Sequence, residues 1–317
     1  MQSVPNLEAI KNAAQRIEPF INKTPVLSSK TINDRIGASL FFKCENFQKT
    51  GSFKMRGASN FVMSLSAEAI KNGVATQSSG NHGQALAYVA QQLGVPAYIV
   101  MPNNSAQPKI QSVEAYQGKI IFCEPTIQAR EAAVAKVIQE TNAYYVPPYN
   151  DYGIIAGQAT TALELIQEIP DLDMIISPIG GGGLMSGTAL VTHYLQPQTR
   201  IIGVEPSAVD DALRSVKTGV LQENSSTNTI ADGLRASLRD KTFGVIREYV
   251  HEIYTVEEHE IVAAMRLIWE RMKIIIEPSC AVPFGAVLFG KIPDTENKKI
   301  GIILTGGNVD LDKLPWK

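Results

Sequence analysis

The stretch GVATQSSGNHGQALAYVAQQLGVPAYIVMP, residues 73–102, decides the fold class. It begins with a short β-rich run at 73–78, continues with a helical pattern at 81–94 and ends with a second β-rich run at 96–102. Two short strands joined by a helix predict a βαβ unit, in which the strands are parallel. The chain is therefore expected to fold as an α/β protein.

Short β-rich runs and helical patterns continue to alternate up to residue 306, apart from a less regular stretch at 207–251. The last helical pattern begins at Ala281. This alternation predicts two doubly wound open-sheet lobes. We expect a small domain at 69–146 and a large domain made of 1–68 and 147–317. Ligands of such sheets bind beyond the carboxyl ends of the strands, so the active site is expected in the cleft between the lobes.

Composition narrows the classes of protein to which the chain can belong. It has 317 residues, of which 44% are hydrophobic and 19% charged, and its net charge is −2. The chain has no basic block of the kind that binds nucleic acid, and no apolar run reaches the roughly 18 residues of a membrane span. Residues 1–20 form an amphipathic pattern without the apolar core of a signal peptide. The three cysteines, Cys44, Cys123 and Cys280, show no metal-ligand spacing, and we expect a cytoplasmic location.

Four consecutive glycines, Gly180–Gly183, follow a strand-like run and open a helical pattern. Free N–H groups at a helix N-terminus bind anions, and phosphate suits them best. A strand-to-helix turn needs fewer glycines, so a ligand is the stronger interpretation. The Lys-Ser/Thr pair of a P-loop is absent. A dinucleotide fingerprint would need its third glycine where Met185 or Ser186 stands; Glu205 lies about where a ribose-binding acid would, so NAD binding stays a weaker alternative.

Three further segments combine a candidate site with a simpler structural explanation. Residues 78–81 open a helix and suit a carboxylate, but such residues also cap helices. Thr305 ends the last strand-like run, where its hydroxyl would point into the cleft or form a turn. Glu205, Asp210 and Asp211 could hold a hard cation or complement a helix dipole.

Lys54 lies between Phe53 and Met55 at the predicted start of a helix. A lone lysine usually lies at the surface with its alkyl chain along apolar groups. Apolar neighbours, however, would lower the pKa of the amine from its usual value of about 10.4 and make it nucleophilic. In a two-lobed α/β protein with a phosphate-binding glycine loop and no nucleotide signature, this lysine suggests a phosphorylated cofactor with a carbonyl group. Pyridoxal phosphate fits that description.

Four motifs together carry a family resemblance. They are SFKMRGA (52–58), SSGNHGQALA (78–87), GGGGLMSG (180–187) and TGGNVDL (305–311). In this order and spacing the chain resembles the fold-type II pyridoxal-phosphate enzymes, and among them the serine racemases and short serine/threonine dehydratases. The resemblance extends from Thr24 to the end of the last motif.

The resemblance implies roles for the site residues. Lys54 would bind the cofactor as a Schiff base and remove the substrate α-proton, and Ser79 would be the acid/base on the opposite face. Cofactor binding is implied for Phe53, Lys54, Asn81, Gly180, Gly181, Gly182, Gly183, Leu184 and Thr305. Substrate binding is implied for Ser78, Ser79, Gly80, Asn81, His82 and Arg130. The Thr305 hydroxyl would face the pyridine nitrogen, which favours β-elimination and racemisation over transamination.

Effector sites are implied in the same way. Glu205, Asp211 and the Val209 carbonyl would hold Mg²⁺, Ca²⁺ or Mn²⁺. An ATP effector would bind at a dimer interface, where the positions are Lys49, Thr50, Gln84, Tyr116, Lys273 and Asn308. Tyr149 departs from the animal serine racemases, which have a small amide there, and is closer to the threonine dehydratases.

The function implied by the resemblance is that of a homodimeric serine racemase and L-serine/L-threonine dehydratase that acts on small amino acids. A dedicated threonine or 3-hydroxyaspartate dehydratase without significant racemase activity is the alternative. A non-enzymatic pair of lobes that binds an amino acid would keep the cleft but would not need Lys54.

Overall fold

The structure is a computed structural model in which residues 3–78, 80–105 and 107–316 are described. Its strands are β1 (Val26–Leu27), β2 (Ser39–Cys44), β3 (Val74–Gln77), β4 (Ala97–Pro102), β5 (Lys119–Cys123), β6 (Tyr144–Tyr145), β7 (Met174–Pro178), β8 (Arg200–Pro206), β9 (Glu252–Val256) and β10 (Lys299–Leu304). The α-helices are α1 (Leu7–Ile17), α2 (Lys30–Ile36), α3 (Lys54–Met63), α4 (Ala67–Ile70), α5 (Asn81–Leu93), α6 (Gln107–Ala115), α7 (Ile127–Thr141), α8 (Tyr152–Glu168), α9 (Gly183–Leu195), α10 (Asp211–Thr218), α11 (Asp240–Tyr249), α12 (Glu258–Met272) and α13 (Pro278–Leu288).

The smaller sheet confirms the predicted series of βαβ units. Its strand order is β5-β4-β3-β6, and all neighbouring strands are parallel. The stretch 73–102 forms β3, α5 and β4. Helix α5 ends at Gly94, whose φ of +67° is a left-handed conformation that glycine adopts without strain. The loop between β3 and α5 therefore lies at the carboxyl edge of a parallel sheet, where a ligand site was expected.

The larger sheet has the order β1-β2-β10-β7-β8-β9 and is parallel except for β1, which runs antiparallel to β2. Strand β2, from the N-terminal part of the chain, pairs along its whole length with β10, the last strand. The segments that follow these two strands therefore lie side by side. The division of the chain into 69–146 and into 1–68 with 147–317 stays a prediction.

Helices cover both faces of the larger sheet, as expected for a doubly wound fold. Neighbouring residues of one strand point to opposite faces. Ile176 and Ile302 belong to a core with α12 and α13, whereas Ile175 and Ile303 belong to a core with α1, α8 and α9. Of the helices that the structure describes, none combines the length and hydropathy needed to cross a membrane.

Residues 207–251, for which the sequence predicted less regular structure, contain two helices, α10 and α11. Helix α10 starts after Asp210, has Asp211 in its first turn and is followed by the cap residue Gly219, whose φ is +73°. An acidic first turn, a glycine cap and an amphipathic pattern are all helix signals, so this helix was open to prediction from the sequence. The correction places Asp211 at a helix N-terminus close to the end of β8.

Candidate active site

Lys54 lies at the junction of two distant chain segments. Ser52 and Gly306 form an isolated antiparallel bridge, and the Phe53 N–H donates a hydrogen bond of 3.0 Å to the Thr305 carbonyl. The two segments follow the neighbouring strands β2 and β10, and α3 begins at Lys54 as predicted. The fold thus brings Lys54 and Thr305 together from opposite ends of the chain.

The amine of Lys54 donates a hydrogen bond of 2.8 Å to the Pro148 carbonyl, and it lies 5.2 Å from the centre of the Phe53 ring. Burial lowers the pKa of Lys54 to about 8, against the opposing effect of the Glu277 charge. Met55, the second apolar neighbour, is fully buried. A larger fraction of this amine is therefore neutral near pH 7 than for an ordinary lysine, which favours nucleophilic attack.

Arg56, two residues after Lys54, is surrounded by partners. The guanidinium is fully buried and forms ion pairs with Glu45 at 2.8 Å and with Glu164 at 2.7 Å. Lys43, also fully buried, forms an ion pair of 2.6 Å with Glu164. Burial alone would lower the pKa of Arg56, but the two carboxylates outweigh it and raise the pKa. These contacts join α3 to α8 and to the end of β2, which fixes the helix that begins with Lys54.

The glycine loop, residues 180–183, lies at the N-terminus of α9, and Gly182 caps the helix with φ +85°. The first amides of a helix have no carbonyl partner within it, so they are free to bind an anion. The loop is also confined by protein atoms. A Cβ added at Gly181 would lie 2.6 Å from the Tyr149 ring, and one added at Gly182 would lie 2.6 Å from the Leu238 side chain. Close protein neighbours therefore require bare backbone here, a reason that the sequence did not reveal.

Two buried hydroxyls near Lys54, Thr305 Oγ1 and Ser52 Oγ, have no hydrogen-bond partner within the described residues. A buried hydroxyl without a partner is costly, and a bound group with a polar atom at that position would remove the cost. Lys54, the glycine loop and Thr305 together fit the aldehyde, the phosphate and the ring nitrogen of pyridoxal phosphate.

The start of α5 contributes the polar residues predicted from the sequence. Asn81 donates a hydrogen bond of 2.7 Å from Nδ2 to Glu277, and its Oδ1 accepts one of 2.9 Å from Asn308. The pKa of His82 is lowered to about 3, first by burial and then by the Lys54 charge, so its imidazole is neutral. The Gly80 N–H donates to Ser78 Oγ at 3.3 Å. Ser79, the predicted second acid/base, lies outside the described residues.

Glu277 is a site residue that the sequence analysis missed. It precedes the first residue of α13, is 2% exposed and has one carboxylate oxygen without a hydrogen-bond partner in the described chain. Burial and the neighbouring Asp232 raise its pKa to about 7. The available signal was a Glu before a Pro at a helix start, but the helix was expected to begin only at Ala281.

Arg130, a predicted substrate residue, lies in the first turn of α7 in the smaller lobe, and burial lowers its pKa. Lys109 of α6 forms an ion pair with Asp232, which belongs to the short 3₁₀ helix Asp232–Leu234. This pair connects a helix beside the smaller sheet with a segment that packs on the glycine loop, because a Cβ added at Gly180 would lie 2.8 Å from Leu234 Cα.

The predicted cation residues form a compact acidic group. The Glu205 side chain is fully buried and accepts hydrogen bonds from the amides of Ala212 and Leu213, at 3.1 and 2.9 Å. Burial and the Asp211 carboxylate raise the pKa of Glu205, and burial raises that of Asp211 to about 6. Two buried carboxylates close together favour a positive charge between them, which fits a divalent cation. The described residues contain no group of three His, Cys, Asp or Glu side chains that could hold a metal ion.

The residues predicted to bind ATP are only partly brought together. Asn308 Nδ2 donates to the Thr50 carbonyl at 2.8 Å and to Gln84 Oε1 at 3.0 Å. Tyr116 packs edge-on against Tyr88, Lys273 donates to the Glu270 carbonyl, and Lys49 is partly buried. In the described part of the chain neither Tyr116 nor Lys273 shares a hydrogen bond with Asn308.

The site and the fold together define a class of protein. An enzyme that holds a phosphorylated carbonyl cofactor is expected to combine a lysine with a lowered pKa, a glycine loop at a helix N-terminus and two parallel-sheet lobes. A family model described as pyridoxal-phosphate dependent enzyme matches residues 17–306. The chain belongs to this family.

Relatives in the family are similar over almost their whole length. The β-hydroxyaspartate dehydratase of Paracoccus denitrificans (strain Pd 1222) is 48% identical over 314 residues, which is 99% of each chain. The serine racemase of Arabidopsis thaliana is 49% identical over 310 residues, covering 96% of this chain and 94% of that one.

Solved structures lead to the same architecture. The structure of maize serine racemase matches with a TM-score of 0.95 and 44% identity, covering 98% of this chain and 95% of that one. The threonine deaminase of T.th. matches with a TM-score of 0.91 and 37% identity, covering 97% of this chain and 99% of that one. The predicted fold-type II architecture, with two parallel-sheet lobes, is confirmed.

Proposed function

We propose that this enzyme removes the α-proton of L-serine and then either returns a proton to the opposite face, giving D-serine, or expels the β-hydroxyl, which leaves with a proton as water. In the second case hydrolysis of the resulting aminoacrylate gives pyruvate and ammonia. L-Threonine would give 2-oxobutanoate and ammonia by the second route. The observation that carries the proposal is Lys54, whose amine is positioned by Pro148 and has a pKa lowered to about 8. The similarity to serine racemases and to a threonine deaminase supports the choice of substrates.

Pyridoxal phosphate, when bound, supplies an electron sink for the negative charge that develops at the substrate Cα. In this proposal the glycine loop and the Leu184 amide would bind the phosphate, Asn81 would bind the ring oxygen and Phe53 would pack beside the ring. The Thr305 hydroxyl is buried without a partner among the described residues and would pair with the ring nitrogen. A neutral hydroxyl does not hold that nitrogen protonated, so the electron sink is moderate and suits elimination and racemisation.

Lys54 is the base that takes the α-proton of the L-enantiomer, and Ser79 is the acid/base on the other face. Residues Ser78, Gly80 and His82 bind the substrate carboxylate at the start of α5, where free amides favour a negative group. A neutral His82, as its low pKa requires, adds no charge next to Lys54. Arg130 contacts the polar end of the substrate.

A second substrate, 3-hydroxyaspartate, is favoured by one observation: the Paracoccus relative of similar identity is a β-hydroxyaspartate dehydratase. A dedicated dehydratase of this kind, or of threonine, would use the same Lys54 chemistry and would not need Ser79 as a base. In the racemase and dehydratase proposal a proton can return to Cα, whereas a dedicated dehydratase does not return it. A 3-hydroxyaspartate dehydratase must also accept a second carboxylate on its substrate.

Product analysis separates these proposals. Purified enzyme is incubated with L-serine, D-serine, L-threonine or 3-hydroxyaspartate, and the oxo acids and both serine enantiomers are quantified. Formation of D-serine from L-serine supports the racemase and dehydratase proposal. If oxo acid forms from 3-hydroxyaspartate alone, the enzyme is instead a dedicated 3-hydroxyaspartate dehydratase. In Ser79→Ala, D-serine formation should disappear while L-serine elimination continues; equal loss of both would contradict the two-face arrangement.

Further properties belong to the same proposal. Mg²⁺, Ca²⁺ or Mn²⁺ binds to Glu205, Asp211 and the Val209 carbonyl, ATP acts as an effector at the residues around Asn308, and the enzyme is a cytoplasmic homodimer. The closeness of the two buried carboxylates supports the cation, and the hydrogen bonds of Asn308 to Thr50 and Gln84 support the effector site.

Thermal unfolding in the presence of a chelator tests the cation. The midpoint of unfolding should fall, and excess Mg²⁺ should restore it.

A further inference from the structure

We propose that Tyr149 is a positioning residue that couples the cation-binding carboxylates to the glycine loop, so that cation binding and phosphate binding strengthen each other. The inference rests on the proposed function, since it concerns the phosphate of the cofactor and the cation proposed at Glu205 and Asp211. It assigns a role to the residue at which this sequence departs from the animal serine racemases.

The ring of Tyr149 lies against the backbone of the glycine loop. A Cβ added at Gly181 would be 2.6 Å from three ring atoms, and one added at Gly183 would be 3.1 Å from Tyr149 Cβ. Distances below 3.0 Å leave no room for a side chain, so ring and backbone are in direct contact. Because close-packed groups move together, a displacement of the ring displaces the amides that would bind the phosphate.

The other end of Tyr149 is tied to the segment that precedes α11. The Tyr149 hydroxyl donates a hydrogen bond of 3.0 Å to the Ser237 carbonyl. The next residue, Leu238, packs on the loop as well, since a Cβ at Gly182 would lie 2.6 Å from Leu238 Cδ2. The residue pair 237–238 therefore acts on the glycine loop at two points.

The same segment is bound to a carboxylate of the cation site. The Leu238 N–H donates a hydrogen bond of 2.8 Å to Asp211 Oδ2. The second oxygen, Asp211 Oδ1, accepts a hydrogen bond of 2.7 Å from Asn224 Nδ2, and the Asn224 N–H donates to Ser237 Oγ at 3.0 Å. Asp211 is thus hydrogen-bonded directly to Leu238 and, through Asn224, to Ser237, whose carbonyl accepts the hydrogen bond of the Tyr149 hydroxyl.

A divalent cation bound between Glu205 and Asp211 stabilises the ionised form of both carboxyl groups and fixes Asp211. Fixing Asp211 fixes Leu238 and Ser237, and these fix the Tyr149 ring and the loop. If the cation strengthens phosphate binding by a given factor, the cofactor must strengthen cation binding by the same factor. The contacts are continuous from one site to the other, which provides a physical route for the coupling.

The test measures binding and not turnover. Apoprotein is titrated with pyridoxal phosphate, followed by its visible absorbance, once with excess Mg²⁺ and once with a chelator. In the natural sequence Mg²⁺ should lower the Kd of pyridoxal phosphate about fivefold, within the usual range for coupled sites. Calorimetric titration of Mg²⁺ with and without the cofactor should give the same factor.

Tyr149→Phe keeps the ring and removes the hydroxyl. Its Kd for pyridoxal phosphate with Mg²⁺ present should rise about 2- to 10-fold, the usual range for one hydrogen bond, and the effect of Mg²⁺ should fall to less than about twofold. Tyr194→Phe is the matched control, because that hydroxyl also donates to a carbonyl, that of Pro5 at 3.1 Å, but at the N-terminal segment. The control should keep the full effect of Mg²⁺.

Three results would overturn the inference: an unchanged Mg²⁺ effect in Tyr149→Phe, the same loss in Tyr194→Phe, or a natural protein whose cofactor affinity does not respond to Mg²⁺. A natural protein that binds no pyridoxal phosphate in either buffer would contradict the proposed function instead. Thermal unfolding of both tyrosine variants checks that they are folded. A third variant, Asp211→Asn, keeps an oxygen for the Leu238 amide but loses the charge. Its Kd for pyridoxal phosphate should match that of the natural protein in chelator.

Discussion

Lys54 and Arg56 are two cations in the first turn of one helix, with opposite surroundings. Arg56 is fully buried between Glu45 and Glu164, and these carboxylates raise its pKa. Lys54 has a carbonyl acceptor and an aromatic ring near its amine, and burial lowers its pKa to about 8. A cation that holds the fold together is paired with carboxylates, whereas a cation that reacts is bound to a neutral carbonyl, so that it can lose its proton.

The largest effect is expected from Lys54→Ala. Activity toward every substrate should fall by about 10⁴-fold or more, because both the covalent link to the cofactor and the base are lost. The visible absorbance of the purified enzyme should be lost or shifted. Urea unfolding of the apoprotein at pH 7 should show little loss of stability, since the ionisation of an amine whose pKa is lowered by burial opposes folding below pH 8 and offsets the loss of the alkyl chain and of the hydrogen bond to Pro148. Unchanged absorbance in this variant would remove Lys54 from the site.

The next largest effect is expected from Arg56→Met. In contrast to Lys54→Ala, this variant should lose stability. Removing one member of a buried ion pair leaves Glu45 buried with an unpaired charge, and such changes lower the free energy of unfolding by about 3–5 kcal/mol. Urea unfolding of the apoprotein measures this. Lys30→Met is the control, because its ion pair with Asp34 is 87% and 62% exposed and should contribute at most about 0.5 kcal/mol. Equal losses in the two variants would show that Arg56 does not support the fold.

The smallest effect is expected from Glu277→Gln, which alters the surroundings of Lys54. With a pKa of about 8, only about a tenth of the Lys54 amine is neutral at pH 7. Because only the neutral amine reacts, the rate of covalent capture of pyridoxal phosphate by the apoprotein should rise with pH and level off above pH 8. The Glu277 charge raises the pKa of Lys54, so its removal should move the profile to lower pH and accelerate capture at pH 7 by at most about tenfold. The exposed Glu296→Gln should leave the profile unchanged, and a shift to higher pH in Glu277→Gln would refute the assignment.

The fold could be predicted because its signals are local. Each β-rich run and each helical period is contained in one short stretch, and β3, β4, β7, β8 and β10 appear where those runs lie. The helices α10 and α11 were missed although both are amphipathic, because each is short and lies in a polar segment that shows no β-rich run on either side of it within 207–251. The pairing of β2 with β10 is a contact between distant parts of the chain, about which local patterns carry no information.

The site was predictable to the same extent. Lys54, the glycine loop and Thr305 are marked by unusual residues in unusual places, and the structure places Lys54 beside Thr305. Glu277 was missed because the Glu-Pro pair at 277–278 was not taken as a helix start, and the burial that distinguishes this carboxyl from the other acidic residues is not visible in the sequence. The glycines were attributed to a ligand alone, whereas the Tyr149 ring and Leu238 also require bare backbone.

The pairing of β2 with β10 has a consequence for the biogenesis of the enzyme. Lys54 is synthesised well before β10, the strand that pairs with β2, and before the Thr305 hydroxyl. Until the ribosome has passed β10, the nascent chain carries this amine without the strand that completes its surroundings, so we expect cofactor loading to follow the synthesis of β10.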